Sequence, residues 1–174
     1  MTGDKAVLFS IQPRHVENIF EGLKDVEIRI HPPALFSGYK GYIYETQGPT
    51  ETPWADEDGH LIFKGRGAVV GEFHVTSTTR HSAGFIPEDS YLMEMCLTMK
   101  ELRAYQRGKG FAGIHFSNVV RYDRPREITE FRKPCPEYLY CESCAMWDGN
   151  KEICGNAALI LKRAPQSWCY VIEL

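Results

Sequence analysis

Four cysteines near the carboxyl end of the 174-residue chain have a spacing that suits a metal ion. They follow the pattern Cys135-x5-Cys141-x2-Cys144-x9-Cys154, which contains one C-x-x-C knuckle. Four thiolates in one short segment can surround a tetrahedral ion, and sulfur ligands favour zinc or an iron–sulfur cluster over harder metals. Because all four candidate ligands are cysteines, we expect a structural ion, with zinc as the predicted cofactor. The alternative is four free thiols in a loop.

A second group of chemically active residues lies near the amino end, where Lys24, Glu27 and Arg29 are close in sequence. Glu27 and Arg29 are two apart in an alternating segment, so on a strand they project from the same face. If that face lines a cleft, Lys24 and Arg29 can hold a phosphate or a base edge while Glu27 accepts a hydrogen bond. A partly desolvated lysine can also serve as a nucleophile or general base. The alternative is a solvated Glu–Arg pair beside a surface lysine.

The remaining ionisable residues give no second catalytic motif. The six histidines are scattered, and no Ser–His–Asp or Cys–His triad can be identified. Lys and Arg are concentrated between residues 100 and 133, where Arg121, Arg124 and Arg126 are candidates to follow a nucleic-acid backbone. Ordinary surface charge is the alternative, and the net charge of −3 excludes a strongly basic nucleic-acid protein.

Short strands and two helices must position these residues. The apolar segment 6–11 predicts a buried strand, Pro13 suits the first position of a helix, and Gly22 suits its end. A capping box formed by Thr98 and Glu101 predicts a helix over residues 99–107. Residues 48–67 are typical of a long loop or an extended hairpin. Further strands are predicted at residues 26–30, 41–46, 68–76, 111–116, 119–122 and 168–174.

This order of elements favours an α+β fold with a mixed, largely antiparallel sheet or barrel, since most strands are not followed by a helix. The length fits a single domain over residues 1–174, with residues 134–155 as a cysteine-rich, metal-binding insertion. No segment approaches the roughly 20 apolar residues of a membrane span, and the amino end lacks the pattern of a signal peptide. We therefore expect a cytoplasmic protein with no membrane partner, in which clustered cysteines favour metal over disulfides.

The segment from Ser10 to Arg29 resembles the signature of the ASCH family. In that signature a strand ending in Ser-x-x-Pro is followed by a helix and by Gly-x-Lys-x-x-Glu-x-Arg. The matching positions in this chain are Ser10, Pro13, Gly22, Lys24, Glu27 and Arg29. The resemblance extends over nearly the whole chain outside the cysteine insertion, and segments 121–125 and 165–171 are similar to a longer, phage- and prophage-type branch of the family.

The resemblance implies a PUA-like, mostly antiparallel β-barrel with flanking helices, here carrying a zinc-knuckle-like insertion. It also implies a cleft beside the first helix that binds RNA, single-stranded nucleic acid or a modified nucleotide. Lys24, Glu27 and Arg29 would line this cleft. Ser10 and Tyr44 would lie at its edge, and Tyr44 and Trp168 are candidates to stack on a base. For Trp168 the alternative is core packing in the last strand.

The resemblance leaves enzyme activity open, because some compact members of the family are hydrolases that deacylate N4-acetylcytidine nucleosides. Those members use a lysine at the position of Lys24 and a threonine where this chain has Glu27. They also use an acid from a later segment, near which Glu94 lies. In such a hydrolase Lys24 would be catalytic and Glu27 its partner. A third interpretation is a protein-interaction adaptor that docks through the metal knuckle, with protein partners unknown.

Overall fold

The computed structural model describes residues 6–135, 147–148 and 153–173, and this part of the chain contains three helices and eleven strands. The helices are α1 Pro13–Phe20, α2 Asp89–Met95 and α3 Met99–Gln106. The strands are β1 Ala6–Ile11, β2 Val26–Arg29, β3 Tyr39–Glu45, β4 Pro49–Ala55, β5 Leu61–Lys64, β6 Ala68–His81, β7 Phe111–Arg126, β8 Phe131–Arg132, β9 Trp147–Asp148, β10 Ile153–Cys154 and β11 Trp168–Glu173. None of the described helices is long and apolar enough to cross a membrane.

Seven strands form one sheet in the order β2-β7-β6-β3-β1-β11-β8. The pair β1 and β3 is parallel, and the other neighbouring pairs are antiparallel. The strands β4 and β5 form a separate two-stranded hairpin, as do β9 and β10. The predicted α+β class, the mostly antiparallel sheet and the extended hairpin within residues 48–67 are therefore confirmed.

The predicted closure into a barrel is wrong for the described residues, because β2 and β8 are the edge strands of an open sheet. Strand β1 already pairs with β3 on one side and β11 on the other, and β2 is only four residues long before Pro32 and Pro33. Hydrogen bonds from side chains nevertheless connect the β2 edge to β1 and β11. Arg29 Nη2 donates to the carbonyl of Ser10 in β1 at 2.9 Å, and Trp168 Nε1 donates to the carbonyl of His31 at 2.6 Å. The sheet thus curls until β2 lies beside β1, and we call this junction the seam.

Alternation along β1 divides the apolar side chains of the sheet into two clusters. Val7 and Phe9 belong to a central core that α1 covers with Val16 and Ile19. Ala6 and Leu8 belong to an outer core on the opposite face, which also contains Tyr42, Phe131 and Leu161. A third, helical core joins α2 and α3 to β2 through Val26, Ile28, Met95 and Leu102. The site described below lies where the central and helical cores meet.

The helix starts agree with the sequence where a clear signal exists. Helix α1 has Pro13 in its first turn, and α3 has the predicted capping box of Thr98 and Glu101. Helix α2 was not predicted, and it has no side-chain cap at Glu88 that could have signalled it. The two strands predicted over residues 111–122 are one long strand, β7, because the chain passes through Asn118 at a φ of 52° without ending the ladder.

Candidate functional site

The turn after α1 places Lys24 inside the protein. Gly22 has a φ of 72°, a left-handed conformation that glycine adopts without steric cost, and it ends the helix as predicted. The backbone N–H groups of Leu23 and Lys24 then both donate to the carbonyl of Asn18, at 2.9 and 3.0 Å. The Lys24 side chain is only 1% exposed, and its Nζ donates to the carbonyl of Met95 at the end of α2, 2.7 Å away. The predicted lysine is therefore a buried cation held between α1 and α2.

Strand β2 carries Glu27 and Arg29 on the same face, as the alternation predicts. The opposite face carries Val26 and Ile28 into the helical core, and all four residues of the strand are buried. Glu27 lies opposite Ile114 of β7, which belongs to the central core. The interpretation as a solvated surface pair is therefore wrong, because the curled sheet and α1 enclose this face.

Lys24, Glu27 and Arg29 form a buried ion triad, and we use this name for the three residues. Lys24 Nζ lies 3.4 Å from Glu27 Oε2, and Arg29 Nη1 donates to Glu27 Oε1. Burial alone would raise the pKa of Glu27, but attraction to Arg29 and Lys24 outweighs burial and holds this pKa below its ordinary value. The carboxylate is therefore ionised, and the triad carries a net charge of +1.

The guanidinium of Arg29 connects the triad to the seam. Besides Glu27, it donates to the carbonyls of Ile28 and Ser10, both at 2.9 Å, and it lies 5.7 Å from the centre of the Phe9 ring. Its Nε is buried and has no hydrogen-bond partner among the described residues. A planar guanidinium fork presents several donors in a fixed geometry, which suits such simultaneous contacts.

His15 and Tyr105 belong to this region and were missed by sequence reasoning. His15 Nδ1 is buried without a hydrogen-bond partner among the described residues. Burial, together with repulsion from Lys24, lowers the pKa of His15 to about 4, although Glu27 partly opposes this. The Tyr105 hydroxyl donates to the carbonyl of Ile28 at 3.2 Å. No spacing motif links these residues to the triad, and the only available signal for His15 was its place on the helix that precedes the Lys24 turn.

Neither Ser10 nor Tyr44, the residues predicted at the edge of the cleft, contacts the triad through its side chain. The Ser10 hydroxyl donates to the carbonyl of Pro165 at 2.6 Å, while the Ser10 carbonyl accepts from Arg29. Tyr44 packs against the outer core, on the face opposite the triad, and burial with the nearby Glu127 raises its pKa. Only the backbone of Ser10 therefore joins the triad.

Trp168 lies on the same side as the triad and contributes to the seam. It packs against the central core, and its ring centre lies 5.3 Å from that of Tyr170 in an edge-to-face arrangement. The Tyr170 hydroxyl in turn accepts from the backbone N–H of Ala34 at 2.9 Å. These contacts favour the packing interpretation of Trp168, with its ring partly exposed near the end of β2.

The three arginines predicted to follow a nucleic-acid backbone contact different parts of the protein. Arg121 lies 3.6 Å from Glu17 and above the ring of Phe20, both on α1. Arg126 lies 2.9 Å from Glu130 and above Phe131 of the outer core. Arg124 is exposed. The contacts of Arg121 and Arg126 therefore do not place the two guanidinium groups in one patch.

Most of the predicted metal site lies outside the described residues. Cys141 and Cys144 are not among them, and Cys154 is described only as part of the backbone ladder of β9 and β10. Cys135 is a free, partly buried thiol. Within the described residues, Asp56, Asp58 and His60 are another set with ligand atoms close enough for a cation. They form the exposed hairpin tip between β4 and β5, where Asp56 Oδ1 already accepts the backbone N–H groups of the other two.

Glu94, the candidate for a later acidic residue, lies at the exposed surface of α2. Its backbone carbonyl accepts from the N–H of Asp25 at 3.2 Å and so fixes the turn that carries Lys24. Among the described residues, its carboxylate makes no ion pair with Lys24. Glu27 is thus the carboxylate that the structure places beside Lys24.

No protein-family model and no curated protein matches the chain. Solved structures do match, among them three crystal structures of an ASCH protein from Zymomonas mobilis. The unmutated protein is 16% identical with a TM-score of 0.51, over 71% of this chain and 73% of the other. A Tyr-to-Phe mutant gives 16% and 0.51 over 71% and 76%, and a Ser-to-Ala mutant gives 17% and 0.50 over 70% and 73%. At this level of identity the likeness establishes the fold.

Proposed function

We propose, starting from the fold shared with the ASCH structures, that this protein is a binding module for RNA, single-stranded nucleic acid or a modified nucleotide. The ligand would bind next to Lys24, Glu27 and Arg29, where α1, the end of α2 and the seam meet. Trp168 would contribute a ring face at the border of this site. The resemblance of segment 10–29 to the ASCH signature supports this choice of ligand class.

The observation that carries the proposal is the pair of unsatisfied polar atoms beside the triad. His15 Nδ1 and Arg29 Nε are both buried and lack a partner among the described residues, and both side chains interact electrostatically with Glu27. Buried polar atoms without partners are rare in folded proteins, and each calls for an explanation. A polar ligand bound against the triad would provide partners for atoms of this kind.

The free-energy cost of burying three charges also supports a ligand at the triad. Three buried charges are weak evidence for stability, since an apolar cluster of the same shape is often equally stable or more stable. The Lys24 ammonium group has three N–H donors, and the described residues supply two acceptors, Met95 O and the Glu27 carboxylate. One donor thus remains for an oxygen of a phosphate or of a base edge.

The arrangement favours binding over catalysis by lysine. A nucleophilic lysine must have its amine free to reach a substrate, whereas Lys24 Nζ is engaged by the Met95 carbonyl at 2.7 Å and by the Glu27 carboxylate at 3.4 Å. The Lys24–Glu27 contact is also the observation that keeps a second candidate function. In a hydrolase acting on acylated cytidine nucleosides, Lys24 and Glu27 would be the catalytic pair, with His15 beside them.

The test is native mass spectrometry of the protein incubated with a pool of nucleosides, acylated nucleosides and short RNA and DNA oligomers. We expect the parent protein to retain a nucleoside or an oligomer and the Lys24→Met variant to lose it. A Lys109→Met variant, which removes an exposed lysine, should bind like the parent. If Lys24→Met folds poorly, Arg29→Lys keeps the charge but removes the guanidinium fork, and it should also weaken retention.

Three results would decide against binding at the triad. Retention of no pool member by the parent would contradict a binding module. Equal retention by the parent and by Lys24→Met would place the ligand elsewhere. Conversion of an acylated nucleoside to its deacylated mass, lost in Lys24→Met, would replace the binding module by the hydrolase.

We also propose that Cys135, Cys141, Cys144 and Cys154 hold one structural zinc ion. The support is the composition and spacing of the four thiols, together with the unpaired Cys135 thiol at the start of the segment. A site with four protein ligands has no open position for substrate, so the ion would stabilise the insertion and take no part in binding chemistry.

A further inference from the structure

Four basic residues lie on two neighbouring segments at the β8 edge of the sheet: Arg132, Lys133, Lys162 and Arg163. The two segments run antiparallel, with a bridge between Arg132 and Ile160. The N–H of Lys133 donates to the carbonyl of Leu159, and the N–H of Leu161 donates to that of Phe131, both at 2.8 Å. This pairing brings Lys162 and Arg163, in the bend directly after Leu161, next to the segment that carries Arg132 and Lys133, and we call the four residues the basic stripe.

The basic stripe differs from the arginines that the sequence suggested. Lys133, Lys162 and Arg163 are exposed, and in the described part of the chain no carboxylate lies within ion-pair distance of any of them. Arg121 and Arg126, in contrast, each have an acidic neighbour, Glu17 and Glu130. Lys133, Lys162 and Arg163 are thus not neutralised by described side chains, and local positive charge persists there on a chain whose net charge is −3.

The stripe leads towards the triad. Arg163 precedes Pro165 by two residues, and the Pro165 carbonyl accepts the hydroxyl of Ser10 at 2.6 Å. The Ser167 carbonyl accepts the N–H of Ser10 at 2.9 Å, and the Ser10 carbonyl accepts Arg29. The segment that leaves the stripe is therefore hydrogen-bonded to the residue that Arg29 contacts, which makes the stripe and the triad neighbours on the molecule.

We propose that the basic stripe binds the phosphates of a single-stranded nucleic acid whose nucleotide is held at the triad. A row of cations suits a chain of phosphates better than one isolated anion, and single-strand binding grooves combine such rows with contacts to individual bases. This proposal rests on the proposed function, since it names the part of the ligand that lies outside the triad. It also assigns the role of following the backbone to residues other than Arg121, Arg124 and Arg126.

The test compares two triple variants that change the net charge equally. The stripe variant is Lys133→Gln, Lys162→Gln and Arg163→Gln, and the control is Arg80→Gln, Lys100→Gln and Lys109→Gln, which are exposed on other elements. Binding of a labelled oligouridylate of about ten nucleotides is measured by fluorescence anisotropy. Salt is varied between about 50 and 200 mM, and nucleoside binding is measured in parallel.

We expect the stripe variant to bind the oligomer about ten- to a hundred-fold more weakly, with the slope of log K against log salt reduced by about 2, since each single-strand phosphate contact contributes about 0.7. The control should bind like the parent, and the stripe variant should keep its nucleoside binding. If the stripe variant and the control bind the oligomer with the same affinity, the proposal that the stripe binds phosphates is wrong. Ligand retention by Lys24→Met would then still test binding at the triad separately.

Other outcomes distinguish the two proposals from each other. A parent that binds neither oligomer nor nucleoside contradicts both. If the parent binds the oligomer through the stripe but retains no nucleoside, phosphate binding at the stripe is supported and nucleotide binding at the triad is contradicted. Binding to anionic phosphatidylserine vesicles, lost in the stripe variant, with no binding to the oligomer, would overturn nucleic acid as the ligand class.

Discussion

Among single residues, Glu27 holds the candidate site together, because it is the carboxylate that Lys24 and Arg29 share. Its low pKa keeps it ionised, and its removal would leave two buried cations facing each other without compensation. The sequence placed the three residues together through their spacing. It could not indicate that their charges are buried, because burial depends on α1, α2 and β7, which are distant in sequence.

Replacing Glu27 by glutamine should therefore destabilise the protein strongly. We expect a loss of about 3–5 kcal/mol in the free energy of unfolding, the usual cost of breaking a buried ion pair from one side. Urea denaturation measures this loss. The control is Glu51→Gln, an exposed carboxylate on β4, which should change stability by less than about 0.5 kcal/mol. Similar values for both variants would show that Glu27 does not compensate the two cations.

His15 gives the protein a defined response to pH. The folded protein keeps His15 neutral down to a pKa of about 4, whereas the unfolded chain takes up a proton near pH 6.5. Between these values the unfolded state binds more protons, so the free energy of unfolding falls as the pH falls from 6.5 to 4. In a His15→Gln variant this part of the pH dependence should disappear.

The measurement for His15 is a series of denaturation curves for parent and variant between pH 7 and 4. Glu27 loses its own contribution only below its ordinary pKa, in both proteins, so the difference between the two curves isolates His15. A difference that stays constant across this range would contradict a buried, neutral imidazole.

Among the elements, those with strong local signals were predicted well. These signals involve only a few adjacent residues: the apolar segment of β1, Pro13 in α1 and the capping box of α3. The missed helix α2 has no side-chain cap, and it is held by Leu92 and Met95 packing on β2. Packing between segments so distant in sequence cannot be predicted from the residues of α2 alone.

The barrel prediction went wrong at the seam for a related reason. A closed barrel would require β2 to pair with β1 through backbone hydrogen bonds. The edge of β1 that β3 leaves free is already paired with β11, the last strand in the chain. Hydrogen bonds from Arg29 and Trp168 replace the missing backbone pairs. Hydrophobic alternation does not reveal that β11 takes the edge of β1 that β2 would need. It also does not reveal that side-chain hydrogen bonds replace the missing backbone pairs.

The seam predicts a localised effect of Trp168→Phe. This change removes the indole N–H that donates to His31 and should cost about 1 kcal/mol, as for a typical hydrogen bond. Amide hydrogen exchange should accelerate in β2 and β11. The matched control is Trp54→Phe, since Trp54 donates its indole N–H to Lys64 within the β4–β5 hairpin. Its effect should stay in that hairpin, and equal acceleration of β2 by both variants would argue against a seam.

On the scale of the whole molecule, an open, curled sheet carries the triad on one face, and the basic stripe leads away from it along the β8 edge. The predicted cysteine-rich insertion, residues 134–155, follows Lys133 directly in the sequence. We expect it to depend on zinc while the sheet does not. The Cys141→Ser variant should lose bound zinc, measured by elemental analysis, with the unfolding transition of the sheet retained. Zinc content equal to that of the parent would remove Cys141 from the ligand set.

The most direct test of the central claim is to map the ligand on the protein. An oligouridylate containing 4-thiouridine is cross-linked to the parent by light, and the attached peptides are identified by mass spectrometry. We predict cross-links in residues 10–29 and around Tyr105 and Trp168, which surround the triad, and we expect nucleosides to compete for them. Cross-links confined to other surfaces, such as the β4–β5 hairpin, would contradict binding at Lys24, Glu27 and Arg29.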